Sequence, residues 1–309
     1  MSEAFDYLKE GEQLILNYVV RAIDSSNAIS TLILTITITG TNDTPAITVV
    51  DVTGAVTEDS TSGSPARLRD SGSLSFTDLD LTDLSTTTST YISAVASTGA
   101  SVSSALATAL QDLTNTFVIS GAGVSNLAQN GTVNWAFSLD NALAQYLAAG
   151  ETVTATYRIT VTDDSTYNAA SGNNQINRRT QDVTVTLTGT NDAPLITVAA
   201  GNADSAALNE TNSGLTAAGT LTVSDVDLTN TVSVAKLSVA ATGTTTGLLS
   251  TNAQLLAMLT ISPAAPTNIL DSTETTDQLS WSFSSGSEAF NYLAAGEQLS
   301  LTYTLRATD

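Results

Sequence analysis

The stretch Gly40-Thr41-Asn42-Asp43-Thr44-Pro45-Ala46-Ile47-Thr48 returns as Gly189-Thr190-Asn191-Asp192-Ala193-Pro194-Leu195-Ile196-Thr197. Each copy follows an alternating apolar run and precedes a new one. Asn and Asp favour turns, and Pro holds the residue before it extended, so Asn-Asp-x-Pro reads as a joint between strand-rich units. The spacing, 189 − 40 = 149 residues, is that of a domain and not of a hairpin.

Three other patterns repeat around this joint. Glu3–Glu12 (EAFDYLKEGE), Ala142–Glu151 (ALAQYLAAGE) and Glu288–Glu297 (EAFNYLAAGE) each read as one helical turn closed by Gly11, Gly150 or Gly296 in a left-handed conformation. Each leads into a period-2 strand: Leu14, Leu16, Tyr18 and Val20; Val153, Ala155, Tyr157, Ile159 and Val161; Leu299, Leu301, Tyr303 and Leu305. Alternation of this kind marks a strand with one face in a core. Further strands are expected at 31–39 and, after a longer turn over 163–180, around Val183, Val185 and Leu187.

Past the joint, 47–57 reads as one strand ending at Glu58-Asp59, with a counterpart ending at Asn209-Glu210. A Ser/Gly/Pro loop over 60–72 precedes Leu74–Asp80, a strand that stops in Asp78-x-Asp80, as its copy stops in Asp225-x-Asp227. Short helices are expected at 103–113, where Leu106, Leu110 and Leu113 share a face, and at 253–260. Trp135-x-Phe137 and Trp281-x-Phe283 each put two aromatics on one strand face, as core.

A fixed period of this kind is the mark of a tandem array. The frame is out of register with the chain. Residues 1–41 read as the back part of one repeat, 42–190 as a whole repeat, and 191–309 as a repeat lacking its last strand. The sequence thus reads as a window on a longer array.

Composition excludes several classes. The formal charge is −21, with 9 Lys and Arg against 30 Asp and Glu, so nucleic acid and anionic membranes, which need a basic surface, are excluded as partners. No apolar run is long enough to span a bilayer, and no export signal is evident; membrane insertion is not expected. There is no Cys and no His, which removes disulfides, thiolate metal sites, and the commonest general base. With no nucleophile motif and with paired acids recurring in each repeat, the chain is not read as an enzyme.

Gly-Thr-Asn-Asp-Ala-Pro-x-Ile-Thr at 189–197, preceded by Val183–Leu187 and joined by the Tyr-Leu-Ala-Ala-Gly-Glu turn, resembles the VCBS-type, cadherin-like repeats of giant bacterial surface proteins, including repeats-in-toxin adhesins. The resemblance covers the whole chain. It implies an all-β fold of tandem immunoglobulin/cadherin-like β-sandwich repeats with short helical turns. It further implies calcium at the joints and an extracellular spacer or adhesive role, in cell adhesion or biofilm formation. The repeats here exceed the roughly 100 residues of such a sandwich, so 81–133 reads as an insertion.

In an antiparallel sandwich path, Asp78, Asp80 and Asp163 return to the end carrying Asn42 and Asp43, and Glu58 falls at the opposite end. The second joint would gather Glu58, Asn191, Asp192, Asp225, Asp227 and Asp309, with Glu210 repeating the place of Glu58. Two unit charges 4 Å apart repel by about 4 kcal/mol at an effective dielectric of 20, so such a joint calls for a cation. Ca²⁺, with six to eight oxygen ligands in loose geometry, fits better than Mg²⁺ or zinc. Asp83, Asp112, Asp140 and Asp182 read instead as ordinary turn acids. The expected partners are neighbouring repeats and, through modules elsewhere, cell-surface or matrix ligands. The alternatives are a carbohydrate- or protein-binding module, or a subunit of a strand-exchanged extracellular filament.

Overall fold

The computed structural model describes residues 5–121, 130–165 and 177–309. It is mostly β-sheet, 49% strand and 6% helix, in several sheets consistent with an all-β sandwich. The chain divides into two compact units, Met1–Ala144 with Thr152–Thr188, and Gln145–Glu151 with Gly189–Asp309.

The first unit opens with β1 (Gln13–Ile23) and β2 (Ile29–Thr39), a two-stranded hairpin in register from Gln13↔Thr39 to Ile23↔Ile29. Asp24 turns it, accepting from the N–H groups of Ser26 and Ala28 at 2.9 and 2.8 Å. Then follow β3 (Ala46–Val49), β4 (Thr53–Thr57), β5 (Leu68–Thr77), β6 (Thr86–Ala96), helix α1 (Ser104–Leu110), β7 (Phe117–Ser120), β8 (Asn130–Leu139), β9 (Thr152–Thr162) and β10 (Arg178–Thr188). Two four-stranded sheets result, ordered β3-β5-β8-β7 and β4-β10-β9-β6. Every neighbouring pair is antiparallel except β4 with β10.

The core forms where the two sheets face each other. Phe117 of β7 stacks on Tyr157 of β9, ring centroids 3.9 Å apart and nearly parallel. Phe117 also stacks on Trp135 of β8 at 6.0 Å. The Tyr157 hydroxyl donates to the Leu110 carbonyl at 2.9 Å, which spares a buried phenol the loss of its partner. Gly72 lies directly opposite Trp135 across the β5–β8 ladder, and a Cβ there would meet the indole at 2.7 Å.

In the second unit the elements are β11 (Leu195–Thr197), β12 (Thr216–Ser224), β13 (Val232–Gly243), helix α2 (Asn252–Met258), β14 (Leu259–Ser262), β15 (Asn268–Leu270), β16 (Thr276–Ser284) and β17 (Leu299–Thr308). The order β11-β12-β16-β14 repeats that of the first unit's β3 sheet, and β15-β13-β17 forms the other sheet. The same devices recur: Gly219 faces Trp281, and Tyr303 donates to the Leu255 carbonyl at 2.9 Å. Among the described residues β17 has a partner on one edge only. Tyr303, Leu305 and Ala307 are partly buried there, whereas Tyr157, Ile159 and Val161 on β9 are fully buried.

Four expectations are corrected. Residues 81–133 are not an insertion: β6 pairs with β9, and β7 pairs with β8, so both complete the two sheets. The extra length is real, but α1 and its connections carry it while filling the core through Leu106 and Leu110. The strand expected over 47–57 breaks into β3 and β4, which belong to different sheets; at the break the Asp51 carbonyl accepts from Trp135 Nε1 at 2.8 Å. β5 begins inside the stretch read as loop, since Leu68 is buried and pairs with Leu139. The repeated Tyr-Leu-x-x-Gly-Glu segments are turns and not helices, the one 3₁₀ turn beside them being Asn141–Leu143. Their glycines do take left-handed φ, +80°, +78° and +89°. Most of the turn expected over 163–180 lies outside the described residues.

Candidate metal centre

In the first unit the chain leaves β5 through Asp78, Leu79 and Asp80 and turns at once. The turn is closed by Asp80 N–H donating to Asp78 Oδ1 at 3.2 Å and by Asp83 N–H donating to the Asp80 carbonyl at 3.2 Å. These bonds fold the three carboxylates inward. One oxygen each from Asp78, Asp80 and Asp83 lie within 4.8 Å of one another, and all three residues are buried.

The joint segment closes over them. Asp43 N–H donates to Asp80 Oδ2 at 2.7 Å. Asn42, buried, donates from Nδ2 to Asp163 Oδ2 at 3.3 Å, at the end of β9. Ser165 links both sides: its N–H meets Asp163 Oδ1 at 3.0 Å, and its hydroxyl bonds Asn42 Oδ1 and, at 3.3 Å, Asp83 Oδ2. The turn before β1 supplies the remaining wall. The Tyr7 carbonyl accepts from Leu81 N–H at 3.1 Å, and Glu12 Oε1 accepts from the Thr82 hydroxyl at 2.6 Å.

Three buried oxygens in this cluster accept no hydrogen bond from the described residues: Asp78 Oδ2, Asp80 Oδ1 and Asp83 Oδ1. A buried carboxylate oxygen without a donor carries an uncompensated desolvation penalty. Burial accordingly raises the Asp78 carboxyl to about 6, and raises Asp80 to about 7 with the added push of Asp83 and Asp43. Asp83 is also raised, by burial and by Asp164; burial raises Asp163 and Asp43 as well.

The second unit rebuilds this site from matching residues. Asp192 N–H donates to Asp227 Oδ2 at 2.9 Å, and Asp227 N–H to Asp225 Oδ1 at 3.0 Å. Asn191 Nδ2 donates to Asp309 Oδ2 at 2.7 Å, as Asn42 does to Asp163. The Tyr146 carbonyl takes Leu228 N–H at 3.3 Å and Glu151 Oε1 takes the Thr229 hydroxyl at 2.7 Å. Asp225 Oδ2 and Asp227 Oδ1 are buried without a hydrogen bond from the described residues. Burial lifts Asp227 to about 6 and Asp225 in the same direction.

The first site fits a hard cation: its donors are oxygens, it carries several carboxylates, and one oxygen each of Asp78, Asp80 and Asp83 approach within 4.8 Å. The second shares the donor types and the linker contacts, but its Asp309 is exposed and its acids do not close to that spacing among the described residues. The residues that would hold the ion are Asp78, Asp80, Asp83 and Asp163 in the first unit, and Asp225, Asp227 and Asp309 in the second.

Of the residues singled out in the sequence, Asn42, Asp43, Asp78, Asp80 and Asp163 come together in the first unit, and Asn191, Asp192, Asp225, Asp227 and Asp309 in the second. Glu58 is buried at the opposite end of the first unit, its N–H donating to the Thr188 carbonyl at 2.9 Å, and is not part of the first cluster. Glu210 precedes the nine-residue β12, at whose far end Asp225 follows; its carboxylate accepts from Asn212 N–H at 3.4 Å.

Asp83 is a correction: read as a turn acid, it is a buried member of the cluster. Asp112 and Asp140 do serve turns, accepting from Thr114 and Ala142 N–H at 2.8 and 3.1 Å. Asp182 is not in a turn but mid-strand, in a bidentate pair with Arg158 at 2.7 and 2.9 Å. Glu12 and Glu151, read only as the ends of repeated turns, reach the rim of each site; the recurring Gly-Glu was the signal that could have found them.

No family model matches the chain, and no curated protein matches it. Among solved structures it is similar to a variant of the enterotoxigenic E. coli CFA/I adhesin CfaE, at 11% identity and TM-score 0.33 over 60% of each chain. It is also similar to a two-domain protein of unknown function from Bacteroides fragilis, at 9% identity and TM-score 0.25, over 86% of this chain and 95% of that one. The chain thus spans 60% of the length of the adhesin it matches.

Proposed function

We propose that this chain is a calcium-rigidified extender region of a large bacterial cell-surface adhesin, built from tandem immunoglobulin/cadherin-like sandwiches and working outside the cell as a structural element and not as an enzyme. One observation carries the reading. The same linker Asn-Asp, Asp-x-Asp and strand-end Asp converge in both units, with buried carboxylate oxygens that no donor among the described residues satisfies. Self-repulsion among these groups is a cost that a divalent cation offsets. The strand orders β3-β5-β8-β7 and β4-β10-β9-β6 support the sandwich part of the reading, since they pair the strands as an immunoglobulin-type fold does. The sequence resemblance to VCBS-type repeats supports the surface location, the neighbouring repeats as partners, and a contribution to adhesion or biofilm formation.

The test is calorimetric titration of CaCl₂ into the chelator-treated chain, with scanning calorimetry on the same samples. Saturable binding and a raised melting temperature are expected. No heat at 1 mM Ca²⁺ sinks the reading.

A second reading is favoured by the β1–β2 hairpin. Leu32, Leu34 and Ile36 of β2 are 69%, 50% and 45% exposed, and β17 keeps one unpaired edge among the described residues. Strand addition between molecules would pair such edges, making the chain a subunit of a filament.

A further inference from the structure

Among the differences between the two acidic sites is one coupled pair of positions. Where the first has Asp83, the second has Asn230; where the first has Lys9 in the preceding turn, the second has Ala148. The surroundings correspond in the carbonyls of Tyr7 and Tyr146 and the carboxylates of Glu12 and Glu151, while Ser165 and Asp164 bear on the first site alone among the described residues.

The geometry links the two changes. Lys9 Nζ lies 3.6 Å from Asp83 Oδ1 and 3.4 Å from Asp164 Oδ2. Asp83 Oδ1 is a buried oxygen that accepts no hydrogen bond from the described residues, and Asp83 belongs to the trio with Asp78 and Asp80. The Lys9 side chain is 30% exposed, against 1% for that of Asp83. Asp164 is held in turn by Leu84 N–H at 3.2 Å. Among the described residues Lys9 is the only basic side chain in ion-pair contact with either cluster. In the second unit Asn230 needs no counter-charge: its amide donates to Asn191 Oδ1 and to Asp227 Oδ2, each at 3.2 Å.

We propose that Lys9 is a resident counter-cation that sets the first site apart from the second, neutralising Asp83 when no metal is bound and competing with a divalent cation for it. The proposal rests on the reading of both clusters as cation sites. An ammonium does this reversibly because it is a point charge on a flexible stem, able to leave toward water without disturbing the turn. The first site would therefore hold together at cation concentrations at which the second is open, and would bind the ion more weakly than its extra carboxylate alone implies.

The experiment uses the full chain carrying Asp227→Asn, which silences the second site. CaCl₂ is titrated calorimetrically into this background and into the same background with Lys9→Ala or Lys9→Arg. A neighbouring positive charge repels an incoming cation, so Lys9→Ala is expected to tighten binding about tenfold, with Lys9→Arg close to the parent. In chelator, Lys9→Ala is expected to melt below both others. Unchanged affinity in Lys9→Ala, with calcium heat still present, overturns the role of Lys9 and leaves the cation reading standing. Absence of calcium heat in all three overturns the cation reading and the competition with it.

Discussion

The backbone N–H of Asp43 donates to Asp80 Oδ2 over 2.7 Å, while the other carboxylate oxygen of Asp80 is buried with no donor among the described residues. One side chain thus does two jobs. Oδ2 fastens the linker to the strand end, and Oδ1 faces Asp78 and Asp83. The linker cannot be fastened without bringing the acids together, so the order of this segment and the charge state of the cluster are linked. Asp192 and Asp227 repeat the relationship at 2.9 Å.

Asp80→Asn separates the two jobs. The amide oxygen can still accept from Asp43, but a charge leaves the cluster. In chelator this variant is expected to melt no lower than the parent, while the melting-temperature gain on adding Ca²⁺ shrinks. Asp140→Ala is the contrast: its carboxylate only caps the turn at Ala142, so it should cost about 0.5–2 kcal/mol of stability as lost caps do and leave the calcium gain intact. Scanning calorimetry with and without Ca²⁺ reads both. An undiminished calcium gain in Asp80→Asn contradicts the assignment.

The raised carboxyls predict an unusual dependence on pH. Asp78, Asp80 and Asp227 titrate near 6 to 7 in the folded chain against an ordinary 3.8. Between those values the folded state binds more protons than the unfolded one, so stability falls as pH rises. The metal-free protein should therefore melt highest near pH 4 to 5 and lose stability up to about pH 7. Saturating Ca²⁺, which favours the ionised form, should flatten or reverse that slope. Melting curves from pH 4 to 8 in chelator and in Ca²⁺ are the check; a metal-free maximum above pH 7 is the contrary result.

Much of this was legible in the sequence because the pattern that encodes it is local. Alternation in Val153–Val161 sets one face of β9 into the core, and Asp78-x-Asp80 at a strand end places two carboxylates beside a turn. What was not legible depended on contacts distant along the chain. Asp83 looks like any turn acid until Ser165 and Lys9, 82 and 74 positions away, close around it. The break between β3 and β4 carries no Gly or Pro of its own; Trp135, reaching the Asp51 carbonyl, anchors it. β6 is Thr-rich, and its place beside β9 rests on pairing with a distant strand, Thr86 with Thr162 76 positions on, which no local pattern shows.

Two tyrosines offer a test of the repeated core. Tyr157 and Tyr303 each donate to the carbonyl at the helix beside them, Leu110 and Leu255. Tyr157→Phe should cost about 1 kcal/mol, the net worth of one hydrogen bond, or more where the carbonyl is left buried. Phe117→Ala should cost about 3–5 kcal/mol, because it empties the space between Tyr157 and Trp135. Denaturant unfolding followed by tryptophan fluorescence measures both; equal costs for the two would mean that the ring stack is not the centre of this core.

The hairpin leads to the last prediction. β2 shows Leu32, Ile33, Leu34 and Ile36 to solvent, and among the described residues its ladder runs to β1 alone. Its counterpart β10 lies between β9 and β4, with Val183, Val185 and Leu187 buried. β17 stands where β9 stands, with no strand in the β10 place among the described residues. Residues 205–209, which correspond to β4, form no strand, and the backbone ladder of β4 runs to β10. A β2 strand from a second molecule would supply what β17 lacks, and the contact, being head to tail, would propagate. Light scattering should then show mass rising with concentration, and a Leu34→Lys, Ile36→Lys variant should abolish the rise, since charges on an edge strand oppose its pairing. A full chain that stays monomeric at high concentration with Ca²⁺ present rules out strand addition between copies and leaves the extender reading alone.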